Sequence, residues 1–162
     1  MGDTLLDAVV VGIGATLVMD LVAVILKRGL GIQPLNYALV GRWFVYLTRG
    51  QVFHRPITKS PTVGGEKPIG WCLHYLIGIV FTAVFLIWTG EGSSAVPRLV
   101  PALAFGALTV LAPFLVLQPG MGAGLAARCT PRPGISRLKS LVAHLSFGAG
   151  IWLAGRCWSA LV

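Results

Sequence analysis

Residues 4–26 read TLLDAVVVGIGATLVMDLVAVIL, an apolar run interrupted only by small residues, two threonines and the acids Asp7 and Asp20. About 20 consecutive apolar residues form a helix long enough to cross the ~30 Å hydrocarbon core of a bilayer. The run is continuous and does not alternate, which predicts a helix and not a strand of a barrel. Three further runs of this kind follow, at residues 69–88, 99–117 and 140–162. The sequence therefore predicts an all-α integral membrane protein, a bundle of four transmembrane helices.

The composition supports this fold class. Of the 162 residues, 56% are hydrophobic and 11% are charged, and the mean hydropathy is +0.82. A soluble domain carries roughly 25% charged residues, so this chain has too little charge to cover a surface that faces water. We expect a single transmembrane domain over residues 1–162. The net charge of +8 is attributed to contact with anionic lipid headgroups and not to nucleic acid.

Positive charge is concentrated in two of the three predicted loops. The loop at 27–68 has seven Lys/Arg against one acid, and the third loop with its edge has four and no acid, whereas the second loop has only Glu91 and Arg98. Basic loops stay in the cytoplasm, so we expect both termini outside and the protein in a bacterial inner membrane. Contacts with lipid headgroups are expected from Arg42, Arg49, Arg128 and Arg137.

Within the first basic loop, residues 35–48 read LNYALVGRWFVYLT. Tyr37, Val40, Phe44 and Leu47 recur at helical spacing, which predicts a short helix lying in the inner membrane interface. A helix that docks a partner protein is the alternative. A homo-oligomer and a complex with a partner subunit are both left open.

Two segments align without a gap at an offset of 70 residues. Ser60-Pro61 precedes His74 by the same distance as Thr130-Pro131 precedes His144, and each histidine begins a His-x-x-x-Gly motif. This spacing predicts two repeated helical hairpins, related by an axis along the membrane normal. Chance similarity between apolar helices is the alternative.

Polar residues in the spans are expected to meet at one depth. Asp20 lies six residues before the inner end of the first span, His74 five residues into the second, and His144 four residues into the fourth. At 1.5 Å per residue, all three lie within roughly 6–10 Å of the inner boundary of the hydrocarbon. Pro113 interrupts the third helix near that depth and leaves the carbonyl of Thr109 without its usual donor. Thr16 and Thr109 share the helix faces of this predicted layer.

Ionisable residues inside a membrane are costly and usually functional. We favour a small transporter or permease-like protein in which Asp20, His74 and His144, with Thr16 and Thr109, bind protons or a small solute. Haem held by His74 and His144, or a divalent metal held by these histidines and Asp20, is the alternative, with electron transfer or lipid modification as the activity. The third hypothesis is that these polar residues are structural and that the protein is a non-catalytic accessory subunit of a membrane complex. We expect no cofactor in the favoured case, and no nucleophile motif indicates an enzyme.

Four segments in combination carry a family resemblance: GIGATLVMDL at 12–21, YALVGRW at 37–43, GWCLHYLIGIVF at 70–81 and TVLAPFLVLQPGMGAG at 109–124. Together they resemble a family of bacterial four-helix inner-membrane proteins, domain of unknown function 2938. The resemblance extends over nearly the whole chain. It implies four spans and a bacterial inner membrane, and it transfers no catalytic role to any residue.

Overall fold

The computed structural model describes residues 2–90 and 97–161, and this part of the chain forms helices and turns without a strand. The helices are α1 (Gly2–Leu30), α2 (Tyr37–Thr48), α3 (Glu66–Thr89), α4 (Leu99–Gly120) and α5 (Pro133–Ser159). Short 3₁₀ turns at Ile57–Lys59 and Leu125–Ala127 lie in the two basic loops. The predicted all-α fold class is confirmed, and so is the short helix in the first basic loop.

Three helices are long and apolar enough to cross a membrane, namely Thr4–Leu30, Glu66–Thr89 and Leu99–Gly120. They contain the first three predicted spans, and they indicate a membrane protein. The fourth predicted span falls on α5, which has 27 residues but is not among the described helices apolar enough to cross. It is less apolar because it includes His144, Arg156 and four glycines.

The bundle of four spanning helices in two repeated hairpins therefore stays a prediction. So do the bacterial inner membrane and the orientation of the loops. Glu91, which entered the charge argument, and Val162, the end of the fourth predicted span, lie outside the described residues.

The helix α4 changes its hydrogen-bond pattern part-way along its length. Its α-helical part, Leu99–Thr109, is followed by a π-helical segment at Pro113–Leu117 and a last turn at Gln118–Gly120. Pro113 has no N–H to donate to the carbonyl of Thr109, so a regular ladder cannot continue through this point. The predicted interruption at Pro113 is present, and π segments of this kind are frequent at functional sites.

The chain divides into two compact units. The first unit comprises Met1–Pro34, Tyr75–Thr109 and Val142–Val162, and the second comprises Leu35–His74 and Val110–Leu141. The helices α3, α4 and α5 thus contribute residues to both units. The apolar core of the first unit consists of Ala8, Val11, Ala15, Phe85, Leu86, Ala102, Phe105, Phe147 and Ile151.

Small residues bring the helices of the first unit into backbone contact. A methyl group on Gly12 of α1 would lie 2.7 Å from the Cα of Ile79 in α3, and one on Gly150 of α5 would lie 2.7 Å from the Cα of Ala15. A methyl group on Gly148 would likewise lie 2.5 Å from the carbonyl oxygen of Ala102 in α4. Small-residue contacts of this kind are typical of helices packed inside a membrane, where apolar burial alone gives no preference for protein over lipid.

The second unit is organised around α2 and the beginning of α3. Gly41 of α2 faces the carbonyl of Glu66, and Gly70 of α3 faces the carbonyl of Tyr37, so neither position has room for a side chain. The Arg42 guanidinium binds the Glu66 carboxylate through two parallel bonds of 2.8 and 2.9 Å. Such a bidentate pair fixes geometry as well as charge.

Candidate functional site

In the first unit, Asp20 is paired with a tyrosine. The Tyr75 hydroxyl donates a hydrogen bond of 3.0 Å to Oδ2 of Asp20, and it connects α1 with α3. Both side chains are half-buried. A carboxylate in a span is stabilised by such a donor, because the hydrocarbon around the helices supplies none.

His144 is hydrogen-bonded to Thr109, and the geometry shows that Nδ1 of the imidazole carries a proton. The Thr109 hydroxyl donates to the carbonyl of Gly106 at 2.6 Å, and its oxygen lies 2.8 Å from Nδ1 of His144. A hydroxyl has one proton to donate, so Nδ1–H of the histidine must be the donor in the second bond. In the neutral imidazole, Nε2 is then the nitrogen that can accept a proton.

The two pairs lie on the same side of the contact between α1 and α5. The helices α1 and α5 run antiparallel, since Ala15 contacts Gly150 while Gly14 contacts Ala154. From these contacts, Asp20 is displaced by about 7.5–9 Å along α1 and His144 by about 9–15 Å along α5, in the same direction. Along the helix axes, Asp20 and His144 are therefore within about 6 Å of each other.

Thr16, also expected in this layer, is a packing residue in this conformation. It is 1% exposed, and its hydroxyl donates to the carbonyl of Gly12 at 2.8 Å within α1. The side chain fits against Gly78 of α3, where a methyl group would collide with the hydroxyl oxygen. Its contribution is to hold α1 against α3, one turn from Asp20.

His74 belongs to the second unit and has partners of its own. The Tyr37 hydroxyl lies 3.0 Å from Nε2 of His74, and the Tyr37 ring stacks on the imidazole with centroids 4.3 Å apart. The Trp71 ring meets the Tyr37 ring at 4.6 Å. Within the described residues, no three His, Cys, Asp or Glu side chains are grouped so that they could hold a metal ion.

The sequence profile of one family, described as "Protein of unknown function (DUF2938)", matches residues 9–158. The chain belongs to this family. The match contains Asp20, Tyr75, Thr109 and His144, and it ends at Trp158. No curated protein and no solved structure matches the chain.

The four arginines predicted to contact lipid headgroups in this DUF2938 protein differ in exposure. Arg42 is 7% exposed and also donates to the carbonyl of Ser60 at 3.0 Å, so its guanidinium is bound within the protein. The Glu66 carboxylate raises the pKa of Arg42. Arg49, Arg128 and Arg137 are exposed, although Nε of Arg137 donates to the carbonyl of Ala126 at 2.8 Å.

Two polar residues that sequence reasoning passed over are among the most buried in this DUF2938 chain. His54 is 4% exposed, and Asp7, noted only as an acid within the first apolar run, is also 4% exposed. Nδ1 of His54 lies 2.8 Å from the Ser60 hydroxyl, and its backbone N–H donates to the carbonyl of Gly120 at 2.9 Å. His54 therefore ties the first basic loop to the end of α4 inside the second unit. Its position six residues before the repeated Ser-Pro motif was the available sequence signal.

Proposed function

We propose that this DUF2938 protein is a small permease-like membrane protein in which Asp20 and His144 bind protons or a small solute. The carrying observation is that both groups lie in the first unit, each in a hydrogen bond with a hydroxyl from another helix. A titratable carboxyl and an imidazole at the same depth are the groups that proton relays in membranes use. His74, with Tyr37, is proposed as a third proton-binding group within the second unit.

The chemistry assigned to each pair follows from its hydrogen bonds. Tyr75 stabilises the carboxylate form of Asp20 by donating to Oδ2. Thr109 accepts from Nδ1–H of His144, which directs proton uptake to Nε2. One site thus presents a carboxyl held by a hydroxyl donor, and the other presents an imidazole whose Nε2 can accept a proton.

Proton flux into liposomes tests this function. Purified protein is reconstituted with a trapped pH-sensitive dye, and a potassium gradient with valinomycin supplies the membrane potential. We expect the wild type to admit protons faster than empty liposomes, and we expect Asp20→Asn and His144→Gln to abolish the difference. Ser146→Ala is the matched control, because the Ser146 hydroxyl bonds only the Val142 carbonyl of its own helix. Variants of Asp20 and His144 that behave like this control would refute the proposal.

We also propose that α5 crosses the membrane, with both basic loops in the cytoplasm and both termini outside. The excess of basic residues in the loops at 27–68 and 118–139 supports this orientation. The free cysteines supply the test, because Cys129 precedes α5, Cys157 lies near its end, and both are exposed. In single-cysteine variants, a membrane-impermeant maleimide should label Cys157 in intact cells and Cys129 only after permeabilisation. Labelling of both from one side would exclude a crossing.

The proposed hairpin repeat has two supporting observations. A turn from the carbonyl of residue 57 to the N–H of Ser60 recurs from Ala127 to Thr130, at the same offset of 70 residues. Each glycine of the His-x-x-x-Gly motifs also meets the preceding long helix: Gly78 meets Thr16, and Gly148 meets Ala102. These two contacts lie within the first unit, and both are antiparallel.

Arg49, Arg128 and Arg137 are proposed as the contacts for anionic lipid headgroups. Their exposure and the surplus of positive charge around them support this assignment. Replacing all three by Gln should reduce the number of phosphatidylglycerol molecules retained by the purified protein in native mass spectrometry. Unchanged retention would refute the assignment.

A further inference from the structure

A second buried acid lies near the other end of the first unit. Asp7 accepts a hydrogen bond of 2.7 Å at Oδ1 from the indole N–H of Trp158, and this bond joins α1 to α5. Its other oxygen, Oδ2, is buried without a hydrogen-bond partner among the described residues. A carboxylate with one unsatisfied oxygen is costly away from water, and the cost falls when that oxygen binds a proton or a donor.

Thr82 of α3 lies at the same level and is also unsatisfied. It is 0% exposed, and its Oγ1 has no partner in the described part of the chain. The antiparallel contact of Gly12 with Gly78 and Ile79 provides the reference. Thr82 lies about 6 Å beyond Gly78, and Ala8 lies about 6 Å before Gly12, in the same direction. A hydroxyl and a carboxyl oxygen, both buried and both available, therefore lie at one depth.

The packing between the two acids restricts what can move between them. Asp7 and Asp20 are about 20 Å apart along α1. Between them, α1 meets α3 through backbone atoms at Gly12, and Ala15 is 0% exposed against α5. An organic solute therefore has no space between α1 and α3 at Gly12, or between α1 and α5 at Ala15.

We propose that Asp7, positioned by Trp158 and facing the level of Thr82, is the opposite-end proton site of the path that contains Asp20, and that the transported species is a proton. This inference rests on the proposed function and specifies its substrate. Proton uptake at Oδ2 gives a carboxylic acid that keeps the bond from Trp158 at Oδ1, and release restores the carboxylate. No other reactant is required.

The charged and titratable groups described near this end lie on two helices. Arg98 directly precedes α4, and Arg156 and Cys157 directly precede Trp158 on α5. No salt bridge joins Asp7 to a described Lys or Arg, and the Arg156 guanidinium lies over the Trp152 ring at 5.5 Å. The α3 side contributes Thr82, which does not titrate. Among the described residues, Asp7 is therefore the acid in direct contact with the Trp158 indole.

The liposome assay separates this inference from the proposed function. Asp7→Asn keeps an acceptor oxygen for Trp158, so the contact between the helices is retained. We expect it to lower proton flux about 10²-fold, as for loss of a positioned proton-transfer group, and we expect Asp7→Glu to recover most of it. Wild-type flux in Asp7→Asn together with loss in Asp20→Asn would overturn this inference alone. Wild-type flux in both variants, or no flux above empty liposomes in the wild type, would overturn both proposals.

A second measurement reports on the proton without requiring transport. The ¹⁵N-indole resonance of Trp158, assigned through Trp158→Phe, is followed across a pH series in detergent. We expect a pH-dependent shift in the wild type and in Asp20→Asn, and none in Asp7→Asn. A Trp158 resonance that does not move with pH in the wild type would mean that the contact is only structural, and it would overturn the inference.

Discussion

Replacing Arg42 by Ala should release the first basic loop of this protein. The guanidinium binds both oxygens of Glu66 at 2.8 and 2.9 Å and the carbonyl of Ser60 at 3.0 Å. The side chains of Arg42 and Glu66 are 8% and 16% exposed. Removing one partner of a buried ion pair costs about 3–5 kcal/mol. We take about 3 kcal/mol, because Glu66 retains some contact with solvent.

Limited proteolysis with trypsin measures this effect. Lys59 is an exposed trypsin site in the loop that Arg42 holds, whereas the bond after Arg55 resists trypsin because Pro56 follows it. Cleavage of a transiently opened segment follows the population of the open form, and about 3 kcal/mol raises that population roughly 10²-fold. We therefore expect cleavage after Lys59 to accelerate by about that factor in Arg42→Ala.

Two further variants, a control and a compensating double variant, test the cause of this effect. Arg49→Ala removes an exposed arginine, whose guanidinium lies 5.9 Å from the Tyr46 ring centre, and it should change the rate little. The double variant Arg42→Leu/Glu66→Leu removes both charges and should recover much of the protection, since no unpaired buried charge remains. Equal cleavage rates in Arg42→Ala and Arg49→Ala would refute the assignment of Arg42 as the residue that holds the loop.

The remaining predictions concern single contacts. Gly148→Ala should lower the free energy of unfolding by about 1–3 kcal/mol, because the methyl group would lie 2.5 Å from the Ala102 carbonyl oxygen. The control Gly134→Ala, whose methyl group would meet nothing within 4 Å, should not lower it. Thermal unfolding in detergent compares the two variants. Ser60→Ala should cost about 1–3 kcal/mol in the same measurement, since Nδ1 of His54 loses its partner at 2.8 Å, and a melting point equal to the wild type would contradict this. Tyr75→Phe should cost about 1.5–3 kcal/mol if Asp20 is charged; a double-mutant cycle with Asp20→Asn measures the pair, and a coupling energy near zero would refute it.

Because helices have a fixed rise, counting residues from the ends of the apolar runs predicts Asp20 and His144 at one depth. This depth stays a prediction. The structure shows that both side chains lie in the first unit, each hydrogen-bonded to a residue of another helix. The hydrogen-bond partners of Asp20 and His144 were harder to predict from the sequence. The sequence does not indicate that Tyr75 reaches Asp20, because an aromatic residue near the end of a span is usually interfacial.

The function of individual polar residues was harder to predict, because it depends on contacts distant in the chain. Arg42 was predicted to contact lipid headgroups because it lies in a basic loop, yet its guanidinium binds Glu66, 24 residues away. Asp7 was noted only as an acid within the first apolar run, yet its carboxylate accepts a hydrogen bond from Trp158, 151 residues away. Neither separation leaves a periodic pattern in the sequence.

By itself, the sequence determined the helical fold class, the three apolar helices able to cross a membrane, the helix in the first basic loop and the interruption at Pro113. These features depend on local properties: hydrophobicity over about 20 residues, helical periodicity and the missing N–H of proline. Only the tertiary structure decided which oxygen or nitrogen each polar side chain meets. That choice is made where glycines such as Gly12 and Gly148 allow helices to touch, because backbone contact fixes the rotation of each helix and hence the direction of its polar groups.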